Sequence, residues 1–236
     1  MHESARRKSA APTAGSSAWV LACSLIFGLA APHSVMLGQT PAIPEVVTEA
    51  KNYNEAVKEL LKFQDLTRDL DKKSTLARPE VLRIQTTGNA ARNSVPAMKQ
   101  HLTSAIRQIT AAGKWDKVDS LFVAEFAKVN ADTAQKERFL EFVKRNGGAK
   151  AILQKAAAQV DRLPNEIDQT VRGAQSKMVG LLPGFLVPTV AYASPTVAWS
   201  ELGCMAVAAA GILGTVAGCI PCGVAAVIGL ATGGCV

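Results

Sequence analysis

Cysteine is the residue type whose placement could do most chemistry in this chain. Cys204, Cys219, Cys222 and Cys235 crowd the last 34 residues, Gly203 to Val236, a stretch with no charged side chain. Cys219-Ile220-Pro221-Cys222 has the C-x-x-C spacing of a redox motif, but no βαβ pattern follows it. A four-thiolate zinc site would show two close pairs, and only one is present. Four cysteines can form two disulfides in three pairings. If Gly203–Val236 is a helical hairpin turning at Ile220-Pro221, each arm rises ~20 Å at ~1.5 Å per residue. Cys204 then meets Cys235, and Cys219 lies beside Cys222 at the bend. Gly214/Gly218 and Gly229/Gly233 are spaced as small-x-x-x-small pairs, which let helix backbones approach. A helix apolar on every side belongs in a large core or in lipid.

Other reactive patterns are sparse. His101 has no histidine or cysteine near it and reads as a solvated residue on a helix surface. Glu137 and Glu141 stand at i,i+4, as metal ligands can, but Lys136 and Arg138 beside them describe an ordinary charged face. There is no Gly-x-Ser-x-Gly elbow and no phosphate-binding Gly-x-x-x-x-Gly-Lys run. Lysine and arginine are interleaved with acids, so a nucleic-acid surface is a weak reading despite the net charge of +7. No enzyme, metal or cofactor is expected. One pattern reads either as a proline-rich connector that happens to contain alanines or as a processing site. In Val190-Ala191-Tyr192-Ala193-Ser194, Ala191 and Ala193 occupy the two small-residue positions of an A-x-A cleavage site behind an apolar run.

The segments that carry these residues have three physical characters. At the amino end, Arg6, Arg7 and Lys8 precede the apolar run Ala18–Ala31, closing on small residues, which is the grammar of a secretory signal over 1–31. Residues 32–43 read as a proline-containing linker. From Glu45 apolar residues recur at helical spacing, with Val46, Val47, Ala50, Tyr53, Val57, Leu60 and Leu61 forming the first stripe. A second helical region over about Pro79–Ala112 is expected to break near Gly88 and Pro96. A third stripe is Trp115, Val118, Phe122, Phe126 and Val129. Asp132 precedes Gln135 at capping spacing, and Lys144 to Gly148 reads as a helix end. Further helices follow over Ala149–Leu163 and Asn165–Met178. Residues 44–177 are thus five or six helices with no comparable strand alternation, and 178–200 is an apolar connector broken by Pro183, Pro188 and Pro195. The fold class is all-α.

Signal, charged helices, A-x-A site and a cysteine-stapled apolar end (201–236) form a layout that resembles secreted peptide-bacteriocin precursors of the halocin and sporulation-delaying-peptide kind. The resemblance rests on Ala191-Tyr192-Ala193 as release point and on the four cysteines. It implies a hydrophobic disulfide-bonded peptide, cut from an exported precursor by a signal-type or maturation protease, acting on lipid membranes as an antimicrobial. In halocin precursors the charged part serves as the immunity segment. The alternative from another class is an exported helical structural or binding protein, held in a membrane by its apolar carboxyl tail. Both readings place the chain outside the cytoplasm, membrane-associated through its carboxyl end, with no nucleic-acid partner.

Overall fold

The computed structural model describes residues 41–178 and 201–219, together with Cys222, Ala226, Ile228, Gly229 and Cys235. The secretory signal, most of the linker, the connector with Ala191, Ala193 and Ser194, and Gly233 lie outside the described residues.

Seven α-helices and three 3-10 turns make up the described regular structure, and no strand occurs among the described residues. The helices are α1 (Val47–Thr67), α2 (Arg78–Ala111), α3 (Val118–Phe126), α4 (Thr133–Arg145), α5 (Ala149–Gln159), α6 (Leu163–Ser176) and α7 (Glu201–Val216). Amphipathic period explains the first six. In α1 the residues Ala50, Tyr53, Val57, Leu60 and Phe63 are buried at three- and four-residue intervals, while Lys51, Glu55 and Lys62 face water. Burial of that stripe, more than local propensity, holds a helix of this kind in water.

The ends of the helices are set by a few residues. The N–H of Gln135 donates to Asp132 Oδ1 at 3.0 Å, fixing the start of α4. Gly147, with φ +92°, closes its other end: Gly148 N–H donates to Val143 O and Gly147 N–H to Lys144 O. This is the paired-bond Schellman stop that a residue with positive φ allows. Gly113 ends α2 in the same way. Pro164 stands in the first turn of α6, where its missing N–H costs nothing.

The break expected in the second helical region does not occur. α2 runs unbroken for 34 residues through both Gly88 and Pro96. Pro96 lies on the exposed side, where water can satisfy the Arg92 carbonyl that loses its helical partner. Gly88 is there for packing: a Cβ on it would lie 2.7 Å from Val171 Cγ2 and 3.0 Å from Phe63 Cε2. Its absence lets α1 and α6 close onto α2.

α1 and α2 are antiparallel, since Glu49 meets His101 while Phe63 meets Gly88. α6 and the 3-10 turn before it (Val160–Arg162) also lie along α2, where Arg92 Nη1 is 3.7 Å from Asp168 and Lys99 Nζ is 2.6 Å from Asp161. A short parallel bridge, Leu76 to Met178, ties the α1–α2 connection to the end of α6, and Lys177 Nζ donates to Leu70 O at 2.6 Å. Charged helices and apolar tail, written in series, therefore fold as one unit over Thr40–Val236. At its centre lies α7, against α1, α3 and α5.

Candidate functional site

Every residue of α7 from Leu202 to Val216 is buried, and only Glu201 at its start faces water. A helix without a polar face must be covered on all sides. The cover comes from the apolar stripes of the charged helices, from the aromatic cluster on α3 and α4, and from the second arm of the carboxyl hairpin. In that cluster Phe122, Phe126 and Phe139 are fully buried, with ring centroids 5.0–6.0 Å apart.

The two arms approach through small residues. A Cβ on Gly211 would overlap that of Ala226 and stand 3.3 Å from the Phe139 ring. A Cβ on Gly214 would overlap Cys222, and one on Gly229 would lie 3.4 Å from Val207 and 3.1 Å from Leu61. Cys222, Ala226, Ile228 and Gly229 are helical. The contacts Gly214–Cys222, Gly211–Ala226 and Val207–Gly229 run in opposite directions along the two arms, as an antiparallel hairpin requires. Cys204 is bonded to Cys235 and Cys219 to Cys222, with Cα separations of 5.8 and 5.3 Å. One bridge closes the open end and the other sits at the bend.

Of the glycines expected at the arm interface, Gly214 and Gly229 lie there, and Gly233 is outside the described residues. Gly218 does something else. Its φ of +78° places it just past α7, where Gly218 N–H donates to Thr215 O and Cys219 N–H to Gly214 O. It is a helix stop, because only a residue without a Cβ takes that backbone conformation freely. Gly211, one turn before Gly214, fell outside the glycine pairs because Val207 and Thr215, not glycines, stand four residues to either side of it.

Two polar side chains of α1 reach the backbone of α7. The Tyr53 hydroxyl donates to Ala206 O at 3.1 Å, and Asn54 Nδ2 donates to Ala210 O at 3.2 Å and to Ala50 O at 2.8 Å. Ala206 and Ala210 are one turn apart, and their single methyl groups leave these carbonyls accessible. Full burial pushes the Tyr53 phenol well above its usual pKa, so it remains a donor across the physiological range. Both residues were legible only as members of a helix stripe or its edge.

His101 is not the solvated residue that its isolation in sequence suggests. Its Nδ1 lies 2.6 Å from Glu49 Oε2, and Ser104 Oγ donates to Glu49 Oε1 at 3.0 Å, so Glu49 ties α1 to α2. Serine and histidine both address the carboxylate and not each other, so the trio is no nucleophile relay. Glu137 and Glu141 are exposed on α4, as an ordinary charged face would be. No group of three His, Cys, Asp or Glu that could hold a metal is found among the described residues. An open groove of about 870 Å³ beside Pro96 is lined by Arg92, Lys99, Arg107, Glu49 and Asp161 among others, with no cysteine in its lining, and Lys99 is already paired.

Among the described residues no helix is long and apolar enough to cross a membrane. Comparison with known proteins finds no matching family, no curated relative and no solved structure of significant similarity. The distinctive features of the described residues are the burial of α7 on every side and the two disulfides that tie it to the second arm.

Proposed function

We propose that the chain is the exported precursor of a hydrophobic, disulfide-stapled, membrane-active peptide of bacteriocin type, released from its carboxyl end and not an enzyme. The observation that carries this reading is the enclosure of α7. Fifteen consecutive residues with no face for water are covered by helices whose opposite faces hold the charge of the chain. Residues 44–177 then act as the cover that keeps the hairpin soluble until it is cut.

Burial magnitudes support such a division of labour. Leu202, Met205, Val207, Ile212, Leu213 and Val216 are all buried. At ~1.5–3 kcal/mol per large apolar side chain, moving these six from the bundle into water would cost ~9–18 kcal/mol. That is the scale of the whole stability of a domain. Transfer into hydrocarbon has no such cost, so a lipid membrane is the partner that would accept the freed hairpin. Proteolysis after Ala193 by a signal-type or maturation protease would sever it from the bundle. Two disulfides suit an oxidising, extracytoplasmic setting.

The anchored-tail alternative has weaker support, because the surface it would present to lipid is already occupied by protein. Intact-mass analysis of culture supernatant tests the proposal. A free, doubly oxidised 194–236 peptide is expected, and synthetic oxidised 194–236 should release dye from vesicles. Exclusive recovery of the uncut chain, together with a synthetic peptide that releases no dye, would overturn the reading.

A further inference from the structure

The bend end of the hairpin is held by a piece of chain from the opposite end of the unit. Residues Pro41 to Val46 cross the carboxyl end of α7. Ile43 and Val46 are fully buried, although only the short 3-10 turn Pro44–Val46 gives this segment local structure. Pro41 packs on Gly218, with its ring and Cα 3.4–3.7 Å from the position a Cβ would take there. On the other side Lys114 Nζ donates to Ala42 O at 3.0 Å and lies 3.6 Å from Glu45.

The last four carbonyls of an α-helix have no partner within it. In α7 three are met locally: Leu213 O by Ala217 N–H, Gly214 O by Cys219 N–H and Thr215 O by Gly218 N–H. The fourth, Val216 O, accepts the N–H of Ile43 at 3.0 Å. Val216 is buried, so withdrawal of Ile43 would leave that carbonyl unpaired away from water and open a void where its side chain sat.

We propose that Pro41–Val46 is a latch on the hairpin, so that severing the connector frees one end of the apolar module while this segment retains the other. Release then depends on displacement of the latch as a second event. The inference rests on the precursor reading, whose peptide it regulates.

Hydrogen exchange on the full exported chain tests it, comparing the parent with Ile43→Ala, Lys114→Ala and the surface control Leu82→Ala. Exchange reports local opening, so a weakened latch should show at the amides of Ala217, Gly218 and Cys219. Ile43→Ala should raise their exchange about thirtyfold, the equilibrium equivalent of the low end of buried Ile-to-Ala losses. Lys114→Ala removes no buried side chain and should raise it about fivefold, as loss of one hydrogen bond would. Amides in the middle of α2 and α5 should stay slower than those at 217–219 in every variant, since the latch opens without unfolding the bundle, and Leu82→Ala should change nothing. Parent-like exchange at 217–219 in both Ile43→Ala and Lys114→Ala overturns the latch. So does exchange at 217–219 as slow as in the middle of α2 and α5 in the parent, which would mean that these amides open only when the whole bundle unfolds. Dye release by synthetic 194–236 is read separately: failure there removes the precursor reading and leaves the exchange result standing.

Discussion

Two glycines should respond to the same substitution with opposite signs. Gly211→Ala places a methyl group where the methyl of Ala226 already stands, with the Phe139 ring 3.3 Å away on another side. Neither neighbour can easily give, since Ala226 has no rotamer and Phe139 is held between Phe122 and Phe126. Overpacking of this kind costs ~1–3 kcal/mol. Helix propensity returns about 1 kcal/mol for replacing glycine with alanine. The net for Gly211→Ala is thus a loss of roughly 0–2 kcal/mol. Gly173, inside α6, has nothing within 4 Å of its would-be Cβ. There the propensity acts alone, and Gly173→Ala should stabilise by ~0.5–1 kcal/mol. Urea unfolding of the full chain reads both changes as shifts in midpoint at constant slope. The two variants should differ by ~1–3 kcal/mol, with Gly211→Ala the less stable. Equal stabilisation by both would refute the close approach of the hairpin arms.

Val207→Lys should act at two stages. Val207 is fully buried beside Gly229, so an unpaired ammonium there should destabilise the bundle by several kcal/mol, seen as lost yield or a lowered urea midpoint. In the free peptide it should weaken partitioning into vesicles roughly a hundredfold. Limited reductant should open Cys219–Cys222 before Cys204–Cys235, because Cys219 and Cys222 are half-buried whereas Cys204 is buried, and alkylation followed by mass analysis gives the order. Asp132→Ala should cost ~1 kcal/mol through loss of the α4 cap, and Asp132→Asn should retain most of it in the same urea assay. The Lys150 ammonium, bonded to Asp116 at 2.7 Å, holds that carboxyl below the usual aspartate range. Its contribution to stability is complete above the unfolded pKa and fades as pH falls through the lowered folded value. Asp116 is almost fully exposed, so Asp116→Asn should flatten the acid limb of the stability profile only slightly.

The helical stripes were legible because they are local: Ala50, Tyr53, Val57 and Leu60 repeat within one element. The cysteine pairing was legible because the spacing of the four cysteines and the short interval between Cys219 and Cys222 suit an antiparallel hairpin. Features that depend on distant partners were not. His101 finds Glu49 across 52 residues, and Gly88 admits Val171 from a helix that comes much later. Pro96 was read as a breaker because sequence does not say which side of α2 faces water. Hydropathy cannot distinguish a core helix from one in lipid; the burial of α7 became visible only once the stripes of α1, α3 and α5 were seen to converge on it.

Tyr53 and Asn54 grip α7 through the carbonyls of Ala206 and Ala210, atoms that every residue type possesses. α1 thus holds α7 through main-chain atoms and the smallness of a few positions, beside the burial of its aliphatic side chains. Such a grip leaves the two parts of the chain unequal in evolutionary freedom. The carboxyl segment can exchange one aliphatic residue for another of similar volume while residues 206, 210, 211 and 214 stay small. The enclosing helices can follow without redesign. A population of related chains should therefore show aliphatic residues exchanging for one another along the carboxyl segment, beside a nearly invariant ladder of alanine and glycine.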